Sequence, residues 1–186
     1  MSRPLRIGTR GSKLALAQTE WVVAKLREAN PDFDFEIVTV RTDGDRSAEA
    51  NRPFGTGVGV FVREIERVLV SGDVDIAVHS MKDVPTELAP GTLISGIPAR
   101  VDPRDAIIAR DGVKLDKLPP GSKVGTSSAR RIAQLLRARP DIQALPIRGN
   151  VDTRLRKLAD RVDGISAILL AAAGLRHAGP PDAVME

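Results

Sequence analysis

The sequence predicts an α/β protein in which β-strands alternate with helices. Short apolar runs rich in β-branched residues recur along the chain, and segments with helical periodicity separate them. One strand and one helix together take about 30–40 residues, which is typical of parallel βαβ units. Several strand-like runs also end in polar turns with Ser, Thr or Arg, at the position where ligands of open α/β folds bind.

In the first half, residues 5–8 are predicted to form the first strand, and Ser12 to cap a helix that runs to about Ala29. The apolar positions expected to give this helix its core face are Leu14, Ala17, Trp21 and Ala24. Residues 35–40 alternate between apolar and polar side chains, which predicts the second strand.

Residues 42–59 are polar, rich in Gly and without a period, which predicts a long lid or binding loop. The next helix is predicted to end at Gly72. Its apolar face is expected to consist of Phe61, Ile65, Val68 and Leu69. Residues 74–79 are predicted to be the central strand, and residues 92–97 a further strand.

The second half continues the alternation after a break that contains Pro98 and Pro103. The break predicts a first domain at 1–99, a hinge at 100–104 and a second domain at 105–186. Strands are predicted at 106–109, 123–125, 144–147 and 167–170. Ser127 or Ser128 is expected to cap a helix with Ile132, Leu135 and Leu136 on its inner face, and a last helix is expected to bury Val151, Leu155 and Leu158.

Composition excludes several classes of protein. The chain is 42% hydrophobic, which argues against disorder, and it has no cysteine, so a disulfide, a thiolate metal site and a Cys nucleophile are excluded. The N-terminus lacks the apolar run of a signal peptide, and residues 165–175 are too short a run to span a bilayer. Neither His79 nor His177 has ligand spacing with another His, which argues against a metal site.

Charge is unequal between the halves. Residues 1–99 hold 12 Lys and Arg against 14 Asp and Glu, whereas residues 100–186 hold 16 against 10. The basic second half indicates either an anionic partner or a solvated basic face.

The stretch 76–85 is the first candidate for chemistry. An apolar run ends in His79 and Ser80, and Lys82, Asp83 and Pro85 follow. A carboxylate beside cations stays ionised, so Asp83 is suited to stabilising a developing cation or moving a proton. The alternative is a local ion pair or an Asp cap.

Arginines and Ser/Thr-rich turns at predicted strand–helix junctions form the second candidate. Helix N-termini attract anions, and a guanidinium binds a carboxylate through two hydrogen bonds. The pattern predicts a polycarboxylate or phosphate ligand, with ordinary caps and surface salt bridges as the alternative. The arginines concerned are Arg10, Arg130, Arg131, Arg148 and Arg154.

Nearly the whole chain resembles the first two domains of the porphobilinogen deaminase family, also called hydroxymethylbilane synthases. The motifs that carry the resemblance occur in the family's order. They are RIGTRGSKLALAQ at 6–18, VHSMKDVP at 78–85, DPRDA at 102–106, VGTSSARR at 124–131, RGNVDTRL at 148–155 and AAGL at 172–175.

The resemblance implies two domains like those of type II periplasmic binding proteins, each a mixed sheet flanked by helices, with a third domain after them. It also implies a cytoplasmic, monomeric transferase of tetrapyrrole and haem biosynthesis that binds neither nucleic acid nor membrane. The implied reaction condenses four porphobilinogens head to tail into hydroxymethylbilane with release of ammonia. The growing oligopyrrole is held on a dipyrromethane cofactor.

The family's motifs also imply roles for residues. Asp83 is implied as the catalytic carboxylate, which helps to protonate the leaving amine and stabilises an azafulvenium-like cation. Asp45 and Phe61 match the mobile loop and a ring-stacking position. The positions that match binders of acetate and propionate groups are Arg10, Ser12, Lys82, Thr126, Ser128, Arg130, Arg131, Arg148 and Arg154.

The sequence departs from the family in several places. Its 186 residues contain no counterpart of the cysteine that carries the cofactor. We expect the third domain and the returning segment of the first domain to be missing. Phe54, Val58 and His177 occupy positions that are usually basic. We therefore expect a truncated deaminase whose isolated chain is inactive. A non-catalytic module that binds polycarboxylates or pyrroles is the main alternative, and a nucleic-acid binder, disfavoured by 3% aromatic residues, is the third.

Overall fold

The computed structural model describes residues 3–41 and 62–178 of the chain. The chain divides into two compact units, residues 1–98 and residues 99–186. Each unit has a β-sheet and a hydrophobic core of its own. The predicted α/β class, with two sheets flanked by helices, is confirmed.

The first unit contains a three-stranded parallel sheet in the order β2-β1-β3. Its elements are β1 (Leu5–Arg10), α1 (Lys13–Ala29), β2 (Phe35–Val40), α2 (Arg63–Val70) and β3 (Ile76–Ala77). Ile7 of β1 is fully buried and packs with Val23 of α1 and Phe35 of β2. Because β1 lies between two parallel strands, its carboxyl end and that of β3 meet at one edge of the sheet.

Helix α1 begins as predicted but buries a different face. The Ser12 hydroxyl accepts a hydrogen bond from the Ala15 amide at 3.3 Å, which confirms the predicted cap. The buried residues are Thr19 and Val23, whereas Trp21 is 39% exposed. Of the apolar positions predicted for this helix, Leu14 and Ala17 are half-buried, whereas the placement of Trp21 and Ala24 on the core face is wrong because both are exposed.

A pair of buried hydroxyl groups explains this rotation of the helix. The Thr19 hydroxyl lies 2.7 Å from Thr9 Oγ1 on β1 and 2.8 Å from the Ala15 carbonyl oxygen. Because each hydroxyl finds a partner, both threonines are buried without an unpaired polar atom. Residue-type patterns assign threonine to the polar face and so miss this arrangement.

Two strand predictions in the first unit need correction. The predicted strand at 74–79 is confined to Ile76–Ala77, with flanking hydrogen bonds from the Asp75 and Val78 amides to β1. The strand predicted at 92–97 is absent, and Leu93 and Ile97 are 75% and 68% exposed. A strand-like sequence forms a strand only where a neighbour accepts its backbone hydrogen bonds, and within 3–41 and 62–178 no neighbour pairs with it.

The second unit contains a four-stranded mixed sheet in the order β4-β7-β5-β6. Its elements are β4 (Asp105–Ala109), β5 (Lys123–Gly125), α3 (Ala129–Ala138), β6 (Gln143–Leu145), α4 (Val151–Ala159), β7 (Ala167–Ala171) and α5 (Ala172–Ala178). Strands β5, β6 and β7 are parallel, as the alternating pattern predicts, and β4 is antiparallel to β7. Between β4 and β5 lies only one turn of 3-10 helix, Leu115–Lys117, and no α-helix, so β4 is not part of a right-handed crossover that would fix its direction.

Two apolar clusters flank this sheet. One surrounds Ile147, Leu158 and Ile168, and the other surrounds Val124 and Leu135. Ser128 caps α3, which decides between the two predicted caps. Of the three residues predicted on the inner face of α3, Leu135 is 3% exposed and Leu136 is 37% exposed, so Leu136 was wrongly placed.

Candidate functional site

Asp83 lies in a tight turn that follows the carboxyl end of β3. Residues Met81–Asp83 form one turn of 3-10 helix, in which the Asp83 amide donates to the Ser80 carbonyl at 2.9 Å. The turn ends before Pro85 and leaves Asp83 half-buried, while Lys82 is exposed. The chain therefore places the carboxylate at the edge of the sheet and the neighbouring cation in solvent.

A small pocket at this edge brings together three of the predicted site residues. Arg10 ends β1, Ser12 opens α1, and Asp83 arrives from the turn after β3. We call this the Asp83 pocket. Its lining includes Arg10, Ser12, Gln18, His79, Ser80 and Asp83. Lys82, the fourth residue predicted here, is not among the lining side chains.

Gln18 and His79 were missed by the sequence-based predictions. The Ser80 hydroxyl donates to Gln18 Oε1 at 2.7 Å, which ties α1 to the turn beside Asp83. Leu14, Ala15 and Gln18 of α1 all face the pocket. If Thr19 had been predicted on the core face of α1, Gln18 would have been predicted on the side of the helix that faces the pocket. The prediction failed because threonine was treated as a surface residue.

The electrostatics of the pocket keep His79 neutral. Burial lowers the pKa of His79 below its usual 6.5, and the positive charge of Arg10 lowers it further, against an opposing effect of Asp83. The pocket therefore contains one fixed cation, one neutral imidazole and one carboxylate.

The Asp83 carboxylate makes no hydrogen bond or ion pair with any side chain in residues 3–41 and 62–178. Its negative charge acts on the nearby His79 imidazole, whose pKa it raises. A carboxylate held in a pocket without a bound counter-ion can stabilise positive charge that develops on a ligand. The arrangement fits the role that the sequence predicts for Asp83.

In the second unit, the hydroxyl groups before α3 serve as structural caps. Thr126 is 1% exposed and its Oγ1 accepts from the Ser128 amide at 3.2 Å. Ser128 Oγ in turn accepts from the Arg131 amide at 3.5 Å, and Ser127 Oγ donates to the Ile147 carbonyl at 2.8 Å. Thr126 and Ser128 thus fix the first turn of α3, which carries Arg130 and Arg131.

Two of the predicted arginines lie beside each other in this unit. Arg131 is 18% exposed and forms a bidentate ion pair with Asp105, with N–O distances of 2.9 and 2.6 Å. Arg154 donates from Nε to the Gly149 carbonyl at 2.7 Å. Burial lowers the pKa of Arg154, and the positive charge of Arg131 lowers it further. We call Arg131, Arg154 and Asp105 the arginine cluster.

Gly149 makes the position of Arg154 possible. Its φ of 115° lies in the region that favours glycine, and a Cβ there would lie 2.7 Å from Thr153 Cγ2. The turn between β6 and α4 can therefore present the Gly149 carbonyl to Arg154 only with glycine at this position.

The other predicted arginines of this unit lie at the surface, and two further predicted residues lie outside the described ranges. Arg130 and Arg148 are exposed, and the Arg148 carbonyl accepts from Lys157 Nζ at 3.2 Å. Asp45 and Phe61 lie outside the described residues, as do the loop positions Phe54 and Val58.

Within residues 3–41 and 62–178, no group of three or more His, Asp or Glu side chains is placed to hold a metal ion. In the same ranges, no helix has the length and apolar character needed to cross a membrane.

The chain matches a family model described as "Porphobilinogen deaminase, dipyromethane cofactor binding domain" over residues 5–186. It is 53% identical over 172 residues to a porphobilinogen deaminase of Brevibacillus brevis, covering 92% of this chain and 55% of the relative. It is 50% identical over 179 residues to that of Bacillus subtilis, covering 96% of this chain and 56% of the relative.

The chain thus spans somewhat more than half the length of these relatives.

Among solved structures, the periplasmic VFT2 domain of Bordetella pertussis BvgS aligns with a TM-score of 0.46 at 17% identity, covering 90% of this chain and 66% of that domain.

Proposed function

The chain belongs to the porphobilinogen deaminase family, and on that premise we propose that it takes part in tetrapyrrole biosynthesis as a hydroxymethylbilane synthase. The reaction joins four porphobilinogens head to tail into hydroxymethylbilane and releases ammonia at each addition. The observation that carries the proposal is the Asp83 pocket, in which the Asp83 carboxylate lies beside Arg10 and Ser12.

Asp83 is the residue to which we assign the chemistry. When ammonia leaves, the C–N bond electrons depart with the nitrogen and the pyrrole ring becomes a cation. The Asp83 carboxylate stabilises that cation and assists proton transfer to the leaving amine. A new C–C bond then forms with the free α-carbon of the acceptor pyrrole, and that carbon loses its proton.

Arg10 and Ser12 are proposed to hold the acidic side chains of the reacting pyrrole. Arg10 ends β1 and Ser12 opens α1, so a guanidinium and the start of a helix face the same pocket. Both features favour a carboxylate. The neutral state of His79 leaves Asp83 as the site's anion and Arg10 as its cation. Lys82 and, outside the described residues, Asp45 and Phe61 remain proposed substrate contacts.

The second unit is proposed to hold the dipyrromethane cofactor and the growing oligopyrrole. The residues present fit a polycarboxylate, because Arg154 is half-buried and no carboxylate in residues 3–41 or 62–178 forms an ion pair with it. The residues assigned to this role are Ser128, Arg130, Arg131, Arg148 and Arg154. The buried Thr126 is assigned a positioning role, because it fixes the first turn of α3. When bound, the cofactor supplies the primer pyrroles to which substrate is added; its attachment cysteine is not among these 186 residues.

We further propose that the protein acts in the cytoplasm as a monomer and does not bind nucleic acid. A proportion of 3% aromatic residues leaves few side chains for base stacking.

The test compares the wild-type chain with Asp83→Asn by incubation with porphobilinogen. Although the wild-type chain is expected to be inactive in sustained hydroxymethylbilane synthesis, we expect it to consume bound porphobilinogen by deamination. Asp83→Asn should slow that consumption, measured as ammonia release, at least about 100-fold, while calorimetry shows porphobilinogen affinity within about threefold, because the amide retains the shape of the side chain. Asp32→Asn, which removes an exposed carboxylate of the same unit, is the control. Equal consumption by wild type and Asp83→Asn would contradict the assignment.

A non-catalytic pyrrole-binding module is the second candidate, because Arg10, Ser12 and the arginine cluster can bind pyrrole carboxylates without any reaction. It predicts that porphobilinogen binds to both proteins with similar affinity and that neither consumes it. The two functions therefore give different results in the same pair of measurements.

A further inference from the structure

The arginine cluster contains two positive charges and one negative charge, and Asp105 supplies the negative one. Arg131 Nε donates to Asp105 Oδ2 and Nη2 to Oδ1, at 2.9 and 2.6 Å. Nη1 donates to the Leu169 carbonyl at 3.3 Å. A guanidinium has five N–H donors, so two of those of Arg131 remain for a ligand.

Arg154 has no equivalent counter-ion. Its side chain is bonded to the Gly149 carbonyl, and no carboxylate in residues 3–41 or 62–178 lies within ion-pair distance of it. The cluster therefore carries one uncompensated positive charge. Because Arg131 and Arg154 are both largely shielded from solvent, that charge is poorly screened.

We propose that Asp105 is a specificity-determining residue that restricts the arginine cluster to one singly charged carboxylate group. A carboxylate that binds beside Arg154 brings the net charge of the cluster to zero. A dianion such as sulfate or phosphate would leave an excess negative charge in a partly buried site, which is unfavourable.

The position of Asp105 suits this role. Asp105 is the first residue of β4 and is 39% exposed, whereas Arg131 is 18% exposed. An ion pair with one exposed member contributes little to stability. The Arg131–Asp105 ion pair instead lowers the net positive charge of the cluster from two to one, and it holds the Arg131 guanidinium in a fixed orientation. The inference rests on the proposed function, in which the second unit holds pyrrole side chains that each end in one carboxylate.

The experiment measures the affinities of propionate and sulfate at constant ionic strength, from the NMR shifts of the arginine Nε–H groups. In the wild-type chain we expect propionate to bind at least as tightly as sulfate. In Asp105→Asn we expect the ratio of sulfate to propionate affinity to rise about tenfold, because the cluster gains one net positive charge. Asp111→Asn, which removes an exposed carboxylate of the same unit, should leave the ratio unchanged.

Three results would overturn the inference. If propionate binds and the ratio in Asp105→Asn equals that of the wild type, the inference fails while the proposed binding of acidic side chains stands. If Asp111→Asn raises the ratio equally, the effect is one of overall charge. If neither anion shifts the Arg131 or Arg154 signals, the inference and the proposed second-unit site fail together. Asp105→Ser provides the same measurement if Asp105→Asn does not fold.

Discussion

The Asp83 pocket and the arginine cluster share the same local structure but differ in the sign of their unpaired charge. In each, a strand ends, a serine caps the next helix, and an arginine lies within three residues of that serine. Among the described residues, Asp83 of the first unit is a carboxylate without an ion-pair partner, and Arg154 of the second is a half-buried guanidinium without one.

The difference in charge is due to residues that belong to elements distant in sequence. Asp83 reaches its pocket from the turn after β3, whereas Asp105 and Arg154 reach the cluster from β4 and α4. A capped helix start provides donors for an anion. On the proposed function, the residue from the distant element then decides whether the site stabilises a cation in a reaction or holds an anion in place.

The largest effect is expected from Gly149→Ala in the second unit. The added methyl group meets Thr153 at 2.7 Å, and a φ of 115° is unfavourable for alanine. We expect a loss of about 3 kcal/mol in the free energy of unfolding, measured with urea. We also expect propionate binding at the arginine cluster to be lost, because the Gly149 carbonyl no longer positions Arg154.

Gly112→Ala is the matched control, since its φ is 65° and its missing Cβ would have no neighbour within 4 Å. Gly112→Ala should lower the free energy of unfolding by only about 1 kcal/mol, because backbone strain is its only unfavourable effect. Equal losses for the two variants would show that the contact with Thr153 is unimportant.

The next largest effect is expected in the first unit, from Thr19→Val. The substitution leaves the buried Thr9 hydroxyl without its 2.7 Å partner, so we expect unfolding to become easier by about 1–2 kcal/mol. The double variant Thr9→Val/Thr19→Val removes both polar groups and should recover most of the loss. Urea unfolding of both proteins tests this, and no recovery would contradict the role given to the hydroxyl pair.

Arg154→Met should separate binding from stability. Removing a largely buried cation beside Arg131 should raise the free energy of unfolding by about 1 kcal/mol, while propionate affinity falls about tenfold. Arg156→Met, at an exposed position of the same helix, should change neither quantity. A destabilised Arg154→Met protein with unchanged propionate affinity would mean that Arg154 is a structural residue.

The smallest effect is expected from the pH dependence of the first unit. Burial lowers the pKa of His79 in the folded protein, and in the unfolded chain it is about 6.5. Above pH 6.5 both states hold neutral His79, so it contributes no slope. As the pH falls from 6.5 toward the folded pKa, the unfolded chain takes up the proton first and stability decreases. His79→Gln should reduce that slope in urea titrations, and an unchanged slope would contradict the burial of a neutral imidazole.

Part of the fold could be predicted because some signals are local. The alternation of Phe35–Val40, the caps Ser12 and Ser128, and the glycine after α2 each act within a few residues. The apolar strand at 92–97 and the core face of α1 could not be predicted in this way. The first depends on a pairing partner, and the second depends on one hydrogen bond between Thr9 and Thr19.

The sequence by itself determined the α/β class, the helix starts, the family motifs and the candidate role of Asp83. Tertiary structure alone decided that Gln18 and His79 share the pocket of Asp83, that Asp105 binds Arg131, and that Arg154 donates to the Gly149 carbonyl. The physical reason is the distance along the chain over which each kind of interaction acts. Capping and periodicity act over a few residues along the chain, whereas the charge balance of a site depends on side chains that only folding brings together.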